Sequence, residues 1–155
     1  MEQKNIGTDR ALEKIKHYCS YQERSHQEVK DKLYSFGLYP GEVEELLSQL
    51  ISENYLNEER YAIAFAGGKF RAKHWGRIKI RYALKLQRVS DYCIKKALAI
   101  IDERDYEQLL EKLAQEKLRT LRSEKNIFIK KKKIQSFLQQ RGFENELISE
   151  WLKKL

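Results

Sequence analysis

The sequence predicts an all-α protein built from three tandem three-helix (helix-turn-helix-like) repeats in an elongated, curved arrangement. Charged residues make up 35% of the 155 residues, and Gly and Pro number only 7 and 1, as in helix-rich chains with short connections. Apolar residues recur at helical spacing along most of the chain. The same apolar frame also occurs three times, which is typical of a repeat protein.

The repeated frame has six apolar positions. It begins at Val29, recurs 51 positions later at Ile80, and recurs 54 positions after that at Ile134, without a gap. The three copies read Val29, Leu33, Leu38, Val43, Leu47 and Leu50, then Ile80, Leu84, Val89, Ile94, Leu98 and Ile101, then Ile134, Leu138, Phe143, Ile148, Leu152 and Leu155. A glycine follows the first helix of the frame as Gly37 and Gly142, with Arg88 in the middle copy.

The first repeat, residues 1–56, opens with an amphipathic helix from Asp9 to Tyr21. The segment Ser25-His26-Gln27-Glu28 predicts a capping box at the start of the second helix, because Ser and Glu at this spacing satisfy each other's free backbone amides. Gly37 can adopt the left-handed conformation that ends this helix. The segment from Pro40 to Glu53 then restarts an apolar helical face.

Residues 57–104 form the second repeat and residues 105–155 the third. Each is expected to open with its own helix, from Glu58 to about Lys73 and from Asp105 to about Arg122. Gly67-Gly68 lies inside the first of these helices, where glycine is unfavourable. We expect a neighbouring helix to pass close to this pair, with a hinge as the alternative.

Charge is unevenly distributed along the chain. Residues 1–53 hold 7 Lys and Arg against 10 Asp and Glu, residues 54–103 hold 11 against 5, and residues 104–155 hold 13 against 8. The thirds therefore carry net charges of −3, +6 and +5. An excess of positive charge in repeats 2 and 3 favours a polyanionic partner there.

Several functional classes are not expected. The sequence holds no long apolar run and no signal peptide, so we expect a cytoplasmic protein without a membrane partner. Cys19 and Cys93 occupy apolar helical positions and predict buried free thiols, and the three histidines have no partners at zinc-ligand spacing. No nucleophile adjoins a histidine and no phosphate-binding glycine loop occurs, so no enzyme activity, metal or cofactor is expected.

The segment RSHQEVKDKLYSFGLYPGEVEELLSQLISENYLNEERYAIAF resembles the RecX family. The matching positions are Arg24, Ser25, Glu28, Val29, Lys32, Leu33, Gly37, Tyr55, Leu56, Glu59, Arg60, Tyr61 and Ala62, followed by Lys73-His74-Trp75-Gly76-Arg77-Ile78, Leu84, Val89, Ile94, Ala97 and Leu98. The chain departs from the family pattern at Asn54, Asn57, Glu58 and Arg88. Asn54 and Asn57 can still end and begin helices, while Arg88 replaces the glycine of the second turn.

The resemblance implies a bacterial modulator of the RecA recombinase. Members of that family bind the RecA filament on DNA and suppress its ATPase, strand-exchange and coprotease activities, which connects them with DNA repair, recombination and the SOS response. The chain is then expected to act as a monomer that contacts single- or double-stranded DNA through the basic repeats 2 and 3.

Basic residues of repeats 2 and 3 are the candidate contacts with DNA or the filament. At 100° per residue, Arg77, Arg81, Lys85 and Arg88 fall on one side of a helix, with no acid in that stripe. An ordinary solvated helix face is the alternative. Trp75 and Tyr82 are expected to pack between repeats, and stacking on unpaired bases is the alternative for both. The full candidate set is Arg71, Lys73, Trp75, Arg77, Lys79, Arg81, Lys85, Arg88, Lys130, Lys131, Lys132 and Lys133.

The four consecutive lysines Lys130 to Lys133 predict an electrostatic contact with phosphates, and a solvated helix end is the alternative. Their energetic setting depends on where their helix begins. A start near Lys130 places four cations at the positive end of the helix dipole, at a cost of up to about 1 kcal/mol each. A start at Asn126 removes most of that cost.

Two other functions remain open. One is a tandem helix-turn-helix transcription regulator that binds DNA, although Glu42, Glu44, Glu45 and Ser48 are poorly suited to reading base edges. The other is a helical protein-protein adaptor without a nucleic-acid role.

Overall fold

The computed structural model describes residues 4–155, and these residues form helices and connecting turns without a β-strand. In chain order the helices are α1 Thr8–Tyr21, α2 His26–Ser35, α3 Pro40–Ser52, α4 Glu58–Gly68, α5 Arg77–Leu86, α6 Asp91–Ile100, α7 Glu103–Thr120, α8 Ile127–Gln140 and α9 Asn145–Leu152. A π-helical turn, Lys69–Lys73, continues α4 to the end that the sequence predicts. The all-α class and the series of three-helix repeats are confirmed.

The described chain divides into two compact units. Unit 1 holds the residues up to Ala64 together with Leu84–Lys96, and unit 2 holds Phe65–Ala83 together with Ala97–Leu155. The helices of the middle repeat, α4, α5 and α6, are therefore each divided between the two units. The domain boundaries after residues 56 and 104 remain a prediction.

The core of unit 1 forms on the apolar faces of α1, α2 and α3. Its buried residues are Ala11, Ile15, Cys19, Val29, Leu33, Leu38, Val43, Leu46, Leu47, Leu50 and Leu56. Each fully buried Leu, Ile or Val contributes about 1.5–3 kcal/mol through the hydrophobic effect. Cys19 and Cys93 are both buried free thiols, and burial raises the pKa of Cys19 to about 11, which leaves its thiol protonated at neutral pH.

The core of unit 2 contains aromatic as well as aliphatic side chains. The Tyr106 ring is fully buried, with its centroid 5.2 Å from that of Phe143 and 6.0 Å from that of Phe70. Trp151 is also buried, and its indole N–H donates a hydrogen bond to the Glu111 carboxylate at 2.5 Å. Aromatic residues bury large apolar areas, so the packing of these rings holds the helices of unit 2 against one another.

The predicted helix caps are present. The Ser25 hydroxyl accepts a hydrogen bond from the Glu28 backbone N–H at 3.0 Å, and the Glu28 carboxylate accepts one from the Ser25 N–H at 3.1 Å. Asn54 ends α3 in the left-handed conformation with φ 64°, and the Asn57 side chain caps α4 by accepting from the Arg60 N–H at 2.9 Å. The two asparagines thus perform the roles expected of them.

All three repeats keep a tight left-handed turn between their second and third helices. The φ angle is 83° at Gly37, 58° at Arg88 and 96° at Gly142. The arginine therefore does not open the middle turn: the Arg88 N–H donates to the Lys85 carbonyl at 2.9 Å and the Val89 N–H donates to the Leu84 carbonyl at 3.1 Å. A non-glycine residue in this region costs about 1–2 kcal/mol.

Arg88→Gly is expected to stabilise the protein by up to about 1 kcal/mol, because relief of the left-handed strain exceeds the added entropy of the unfolded chain. Arg81→Gly is the matched control. It lies inside α5 and is expected to destabilise by about 1 kcal/mol, the helix cost of glycine. Urea unfolding of both variants measures the two effects, and a destabilised Arg88→Gly contradicts the assigned strain.

The close helix approach expected at Gly67-Gly68 is wrong. Among residues 4–155, no atom beyond the adjacent residues and the backbone of the same helix lies within 4 Å of a Cβ placed at Gly68, and a Cβ at Gly67 meets the flexible guanidinium of Arg71. The close approach occurs instead between Gly76 and Gly142. A Cβ on Gly76 would meet the Gly142 backbone at 2.4 Å, and a Cβ on Gly142 would meet Lys79 at 2.4 Å and the Gly76 carbonyl at 3.1 Å.

Candidate nucleic-acid interface

Helix α8 begins well before its four lysines. Asn126 caps it, and the Asn126 side-chain oxygen accepts hydrogen bonds from the N–H groups of Phe128 at 2.9 Å and Ile129 at 3.4 Å. The helix therefore starts at Ile127, and the alternative start near Lys130 is wrong. Lys130 lies in the second turn, where the helix dipole has largely decayed, so the lysines carry little of the dipole penalty.

An open groove of about 270 Å³, here called the basic groove, lies between helices α7 and α8. Its lining residues are Lys117, Lys132, Lys133, Ser136, Phe137 and Gln140. Phe137 has two cations beside its ring, because Lys117 Nζ and Arg141 Cζ each lie 5.3 Å from the ring centroid.

The lysines of α8 have no carboxylate partner within ion-pair distance in the described part of the chain. Lys132 and Lys133 are exposed, and Lys130 and Lys131 are half-buried. Unpaired cations around a groove produce a local positive potential that attracts phosphates.

Three apolar side chains precede the lysines on α8 and remain partly or largely exposed. The exposed fraction is 42% for Ile127, 79% for Phe128 and 42% for Ile129. Successive residues of a helix point in directions 100° apart, so one core-facing stripe cannot cover all three. The lysines are therefore bordered by apolar surface that the sequence analysis did not identify.

Arg77 belongs to a hydrogen-bonded network inside unit 2. Its guanidinium lies over the Tyr106 ring at 3.7 Å and donates to Glu144 at 2.6 Å and also to Glu103. The Tyr106 hydroxyl donates to Glu144 and accepts from the Arg77 backbone N–H at 3.0 Å. Burial, followed by the hydrogen bond to Glu144, raises the pKa of Tyr106, so its hydroxyl stays protonated as a donor.

The expectation that no acid neutralises the α5 stripe is therefore wrong for Arg77, which pairs with Glu103 and Glu144. Lys85 also has an acidic neighbour, since its Nζ lies 3.7 Å from Asp91 in an exposed pair. Arg88 does not belong to the helical stripe at all, because α5 ends at Leu86 and Arg88 is in the left-handed turn. Arg81 remains exposed and without an ion pair within the described chain.

Arg77→Gln is expected to destabilise unit 2 by about 1–3 kcal/mol, because the half-buried Glu144 loses a charged donor and Tyr106 loses its stacked guanidinium. Arg81→Gln removes the same charge from the same helix and is expected to change stability by less than about 0.5 kcal/mol. Thermal unfolding of the two variants separates these outcomes. Equal stability of the two variants would show that the Arg77 network contributes nothing to the free energy of unfolding.

The remaining candidates near α5 have distinct surroundings. Trp75 is half-buried, and its ring meets the Phe65 ring edge-on with the two centroids 6.5 Å apart. The packing of Trp75 between repeats remains a prediction. Lys79 Nζ lies 4.7 Å and Lys69 Nζ 5.1 Å from the Trp75 ring centroid. Tyr82 is 66% exposed, so the packing expected for it is wrong.

Arg71 and Lys73 are exposed at the end of the π-helical turn. Arg71 borders a shallow, open surface groove of about 290 Å³ that Asp105 and Lys112 also line, so an acid lies in the same groove. The Lys73 backbone carbonyl accepts a hydrogen bond from Arg141 at 3.2 Å, and the Lys73 ammonium forms no ion pair within the described chain.

The structure places most of the candidate set in unit 2 and Lys85 and Arg88 in unit 1. It brings Lys132 and Lys133 together with Lys117. The sequence analysis did not include Lys117 among the candidates. Lys117 lies in the last turn of α7. No single-helix pattern pairs it with α8, so the signal lies only in the packing of two helices.

The described residues show no arrangement of three or more His, Cys, Asp or Glu side chains that could hold a metal ion. None of the helices formed by residues 4–155 has the length and apolarity needed to cross a bilayer. The arrangement at α8 offers binding chemistry: cations for phosphates beside apolar surface.

Comparisons with known proteins identify similar sequences and folds. The models of the second and third three-helix domains of RecX match residues 57–98 and 105–152. The chain is 29% identical over 150 residues to the regulatory protein RecX of Prosthecochloris aestuarii, covering 96% of this chain and 95% of that protein. It is 32% identical over 126 residues to the regulatory protein RecX of Chlorobaculum tepidum, covering 81% and 76%.

Some relatives are longer. The chain is 29% identical over 132 residues to the regulatory protein RecX of Clostridium botulinum. The match covers 84% of this chain but only 61% of that protein. Among solved structures, RecX from Lactobacillus salivarius superposes with a TM-score of 0.85 at 25% identity, covering 96% of both chains.

Proposed function

Because the chain belongs to the RecX family, we propose that it is a non-enzymatic regulator that binds the RecA recombinase filament on DNA. It inhibits the ATPase, strand-exchange and coprotease activities of the filament, and so acts in DNA repair, recombination and the SOS response. A filament on chromosomal DNA places this role in the cytoplasm. The protein acts as a monomer, without a cofactor.

The observation that carries the DNA contact is the set of four α8 lysines, which have no carboxylate partner in the described chain. Two of them line the basic groove with Lys117. Lysines that neutralise phosphates release counterions, which supplies affinity without sequence preference. A modulator of a filament that forms on any DNA sequence needs such a contact.

The uneven distribution of charge along the chain supports separate surfaces for DNA and for protein. Repeats 2 and 3 carry the positive charge and contact DNA, whereas residues 1–53 carry a net charge of −3 and face protein. The exposed Glu44 and Glu45 of α3 belong to this acidic part.

The deciding experiment measures ATP hydrolysis by RecA on single-stranded DNA with increasing amounts of the protein. Progressive inhibition is expected, and no inhibition at any ratio would reject the proposal. An unrelated ATPase that also requires single-stranded DNA is the control. Equal inhibition of both enzymes would show that the protein merely covers DNA, which contradicts a specific contact with the recombinase.

A further inference from the structure

Unit 1 has an open groove of about 760 Å³ between α1 and the C-terminal end of α2, here called the α1–α2 groove. Its lining residues are Arg10, Glu13, Lys14, His17, Tyr18, Lys32 and Phe36. The volume falls within the range of about 300–1,000 Å³ that is typical of binding pockets. This groove is larger than the basic groove and lies in the part of the chain with negative net charge.

The lysines of α1 and α2 are of two kinds. Lys16 pairs with Glu53 at 3.2 Å and Lys30 pairs with Glu44 at 3.7 Å, and neither lines the groove. Lys14 and Lys32 line it and have no carboxylate within ion-pair distance among residues 4–155. The unpaired positive charge of these two helices is thus concentrated in the groove.

Arg10 adds a third cation, against one carboxylate from Glu13. Arg10 also has no ion pair within the described chain. The lining therefore combines three unpaired cations with two aromatic rings, which matches an anionic ligand that also carries apolar side chains.

The aromatic rings of the groove already have cations beside them. Lys14 Nζ and Lys32 Nζ lie 5.7 Å and 5.8 Å from the Phe36 ring centroid. The guanidinium of Arg24 lies 3.7 Å from the Tyr18 centroid, and Lys32 Nζ lies 5.5 Å from it. Cations over ring faces compete with the stacking of nucleic-acid bases, on which single-strand binding depends.

The charge around the groove also disfavours a nucleic acid. A polyphosphate strand that extends beyond the groove meets a segment, residues 1–53, with net charge −3. A short acidic stretch of a folded protein ends where the groove ends and avoids that repulsion. Its carboxylates can replace the missing partners of Lys14 and Lys32.

We infer that the α1–α2 groove docks an acidic segment of the recombinase. This inference rests on the proposed function and assigns the protein-facing contact to named residues of unit 1. The carboxylates of the segment pair with Lys14, Lys32 and Arg10, and its apolar side chains pack against Tyr18 and Phe36.

The test compares Lys14→Gln/Lys32→Gln with Lys16→Gln/Lys30→Gln, which removes the same charge from the same two helices outside the groove. Fluorescently labelled chains are titrated with RecA filaments preformed on single-stranded DNA. The groove variant is expected to bind roughly fivefold to thirtyfold more weakly than the control, since two ion pairs are lost. Lys14→Arg/Lys32→Arg keeps both charges and is expected to restore binding.

A second titration, with an oligothymidylate and no recombinase, separates protein from DNA. Unchanged DNA affinity of the groove variant is expected, and a loss would assign the groove to nucleic acid and overturn the inference. Equal filament binding by the groove variant and its control would also overturn it while leaving the proposed function intact. Absence of filament binding by the wild-type chain would overturn the proposed function and the docking together.

Discussion

Gly142→Ala is expected to destabilise unit 2 by about 2–5 kcal/mol. Gly142 has φ 96°, a conformation that side chains rarely adopt, and a Cβ there would lie 2.6 Å from the Lys79 backbone nitrogen. The conformational cost is about 1–2 kcal/mol, and forcing packed backbone apart adds a further 1–3 kcal/mol. Since native proteins are stable by only about 5–15 kcal/mol, this single methyl group removes a large fraction of the total.

The penalty arises because two backbone segments touch without side chains between them. The Gly76 N–H donates to the Arg141 carbonyl at 2.7 Å, and the Ile78 N–H donates to the Gly142 carbonyl at 2.9 Å. A Cβ on Gly76 would lie 2.6 Å from the Phe143 nitrogen, so the contact requires glycine on both sides. Separation of the segments leaves these backbone groups without partners, at about 1–3 kcal/mol for each buried group.

Urea unfolding measures the effect, with Gly68→Ala as the matched control. Gly68 is helical, with φ −63°, and no atom of the described chain beyond its neighbours and its own helix backbone lies within 4 Å of its added Cβ. The control is expected to be stabilised by up to about 1 kcal/mol, since alanine favours a helix. A loss below about 1 kcal/mol in Gly142→Ala would show that the close backbone contact is dispensable.

The double variant Gly76→Ala/Gly142→Ala tests whether the two glycines serve one contact. Both single variants break the same pair of hydrogen bonds, so the double variant is expected to lose much less stability than the two single losses combined. Additive losses would contradict a shared contact.

The helices and their turns could be predicted from the sequence because their signals are local. Apolar residues at helical spacing mark the buried faces, and the threefold recurrence of that frame fixes where each turn lies. Arg88 shows the strength of this logic. It occupies the position of a glycine in the repeat frame, and it adopts the left-handed angle that the frame requires.

The contacts between distant segments could not be predicted in this way. Arg77 meets Glu144 across 67 residues, and a helical-wheel angle for Arg77 contains no information about that acid. The role of Gly76 depends likewise on Gly142, which belongs to another repeat. One sequence does not show which distant residues are in contact, so it predicts Arg77 to be an unpaired cation on the surface.

The net charge of a whole segment does not reveal the local cluster of cations in the α1–α2 groove. The net charge of −3 over residues 1–53 describes the segment as acidic, although three unpaired cations meet on one of its faces. Lys16 and Lys30 are neutralised by acids elsewhere on the segment, so only the structure distinguishes paired from unpaired lysines. At α8 the sequence was more informative, because the helix Ile127–Gln140 contains no Asp or Glu that could neutralise its four consecutive lysines.

Replacement of Lys130, Lys131, Lys132 and Lys133 by glutamine is expected to weaken binding to single-stranded DNA on the order of a hundredfold at low salt. Each lysine that contacts a phosphate contributes about 0.7 to the slope of log affinity against log salt. The wild-type slope is expected near −3 to −4, and loss of four contacts makes it shallower by about 3. Fluorescence anisotropy of a labelled oligothymidylate at several salt concentrations measures both quantities.

The matched control replaces by glutamine four exposed lysines of unit 2 that lie outside α8: Lys112, Lys125, Lys153 and Lys154. It changes the net charge equally, so a purely long-range effect of charge would weaken both variants alike. A local contact weakens only the α8 variant. Both variants are expected to stay within about 0.5 kcal/mol of the wild-type stability for each substitution, since none of these lysines forms an ion pair in the described chain.

Two half-variants distinguish a contact through the basic groove from a contact along the whole run. Lys132→Gln/Lys133→Gln alters the lysines that line the groove, and Lys130→Gln/Lys131→Gln alters the half-buried pair before them. A groove contact makes the slope shallower by about 1.4 in the first variant and leaves it unchanged in the second. Equal slopes in the wild type and both half-variants would mean that the α8 lysines are a solvated helix surface, and DNA binding would then require other residues of the chain.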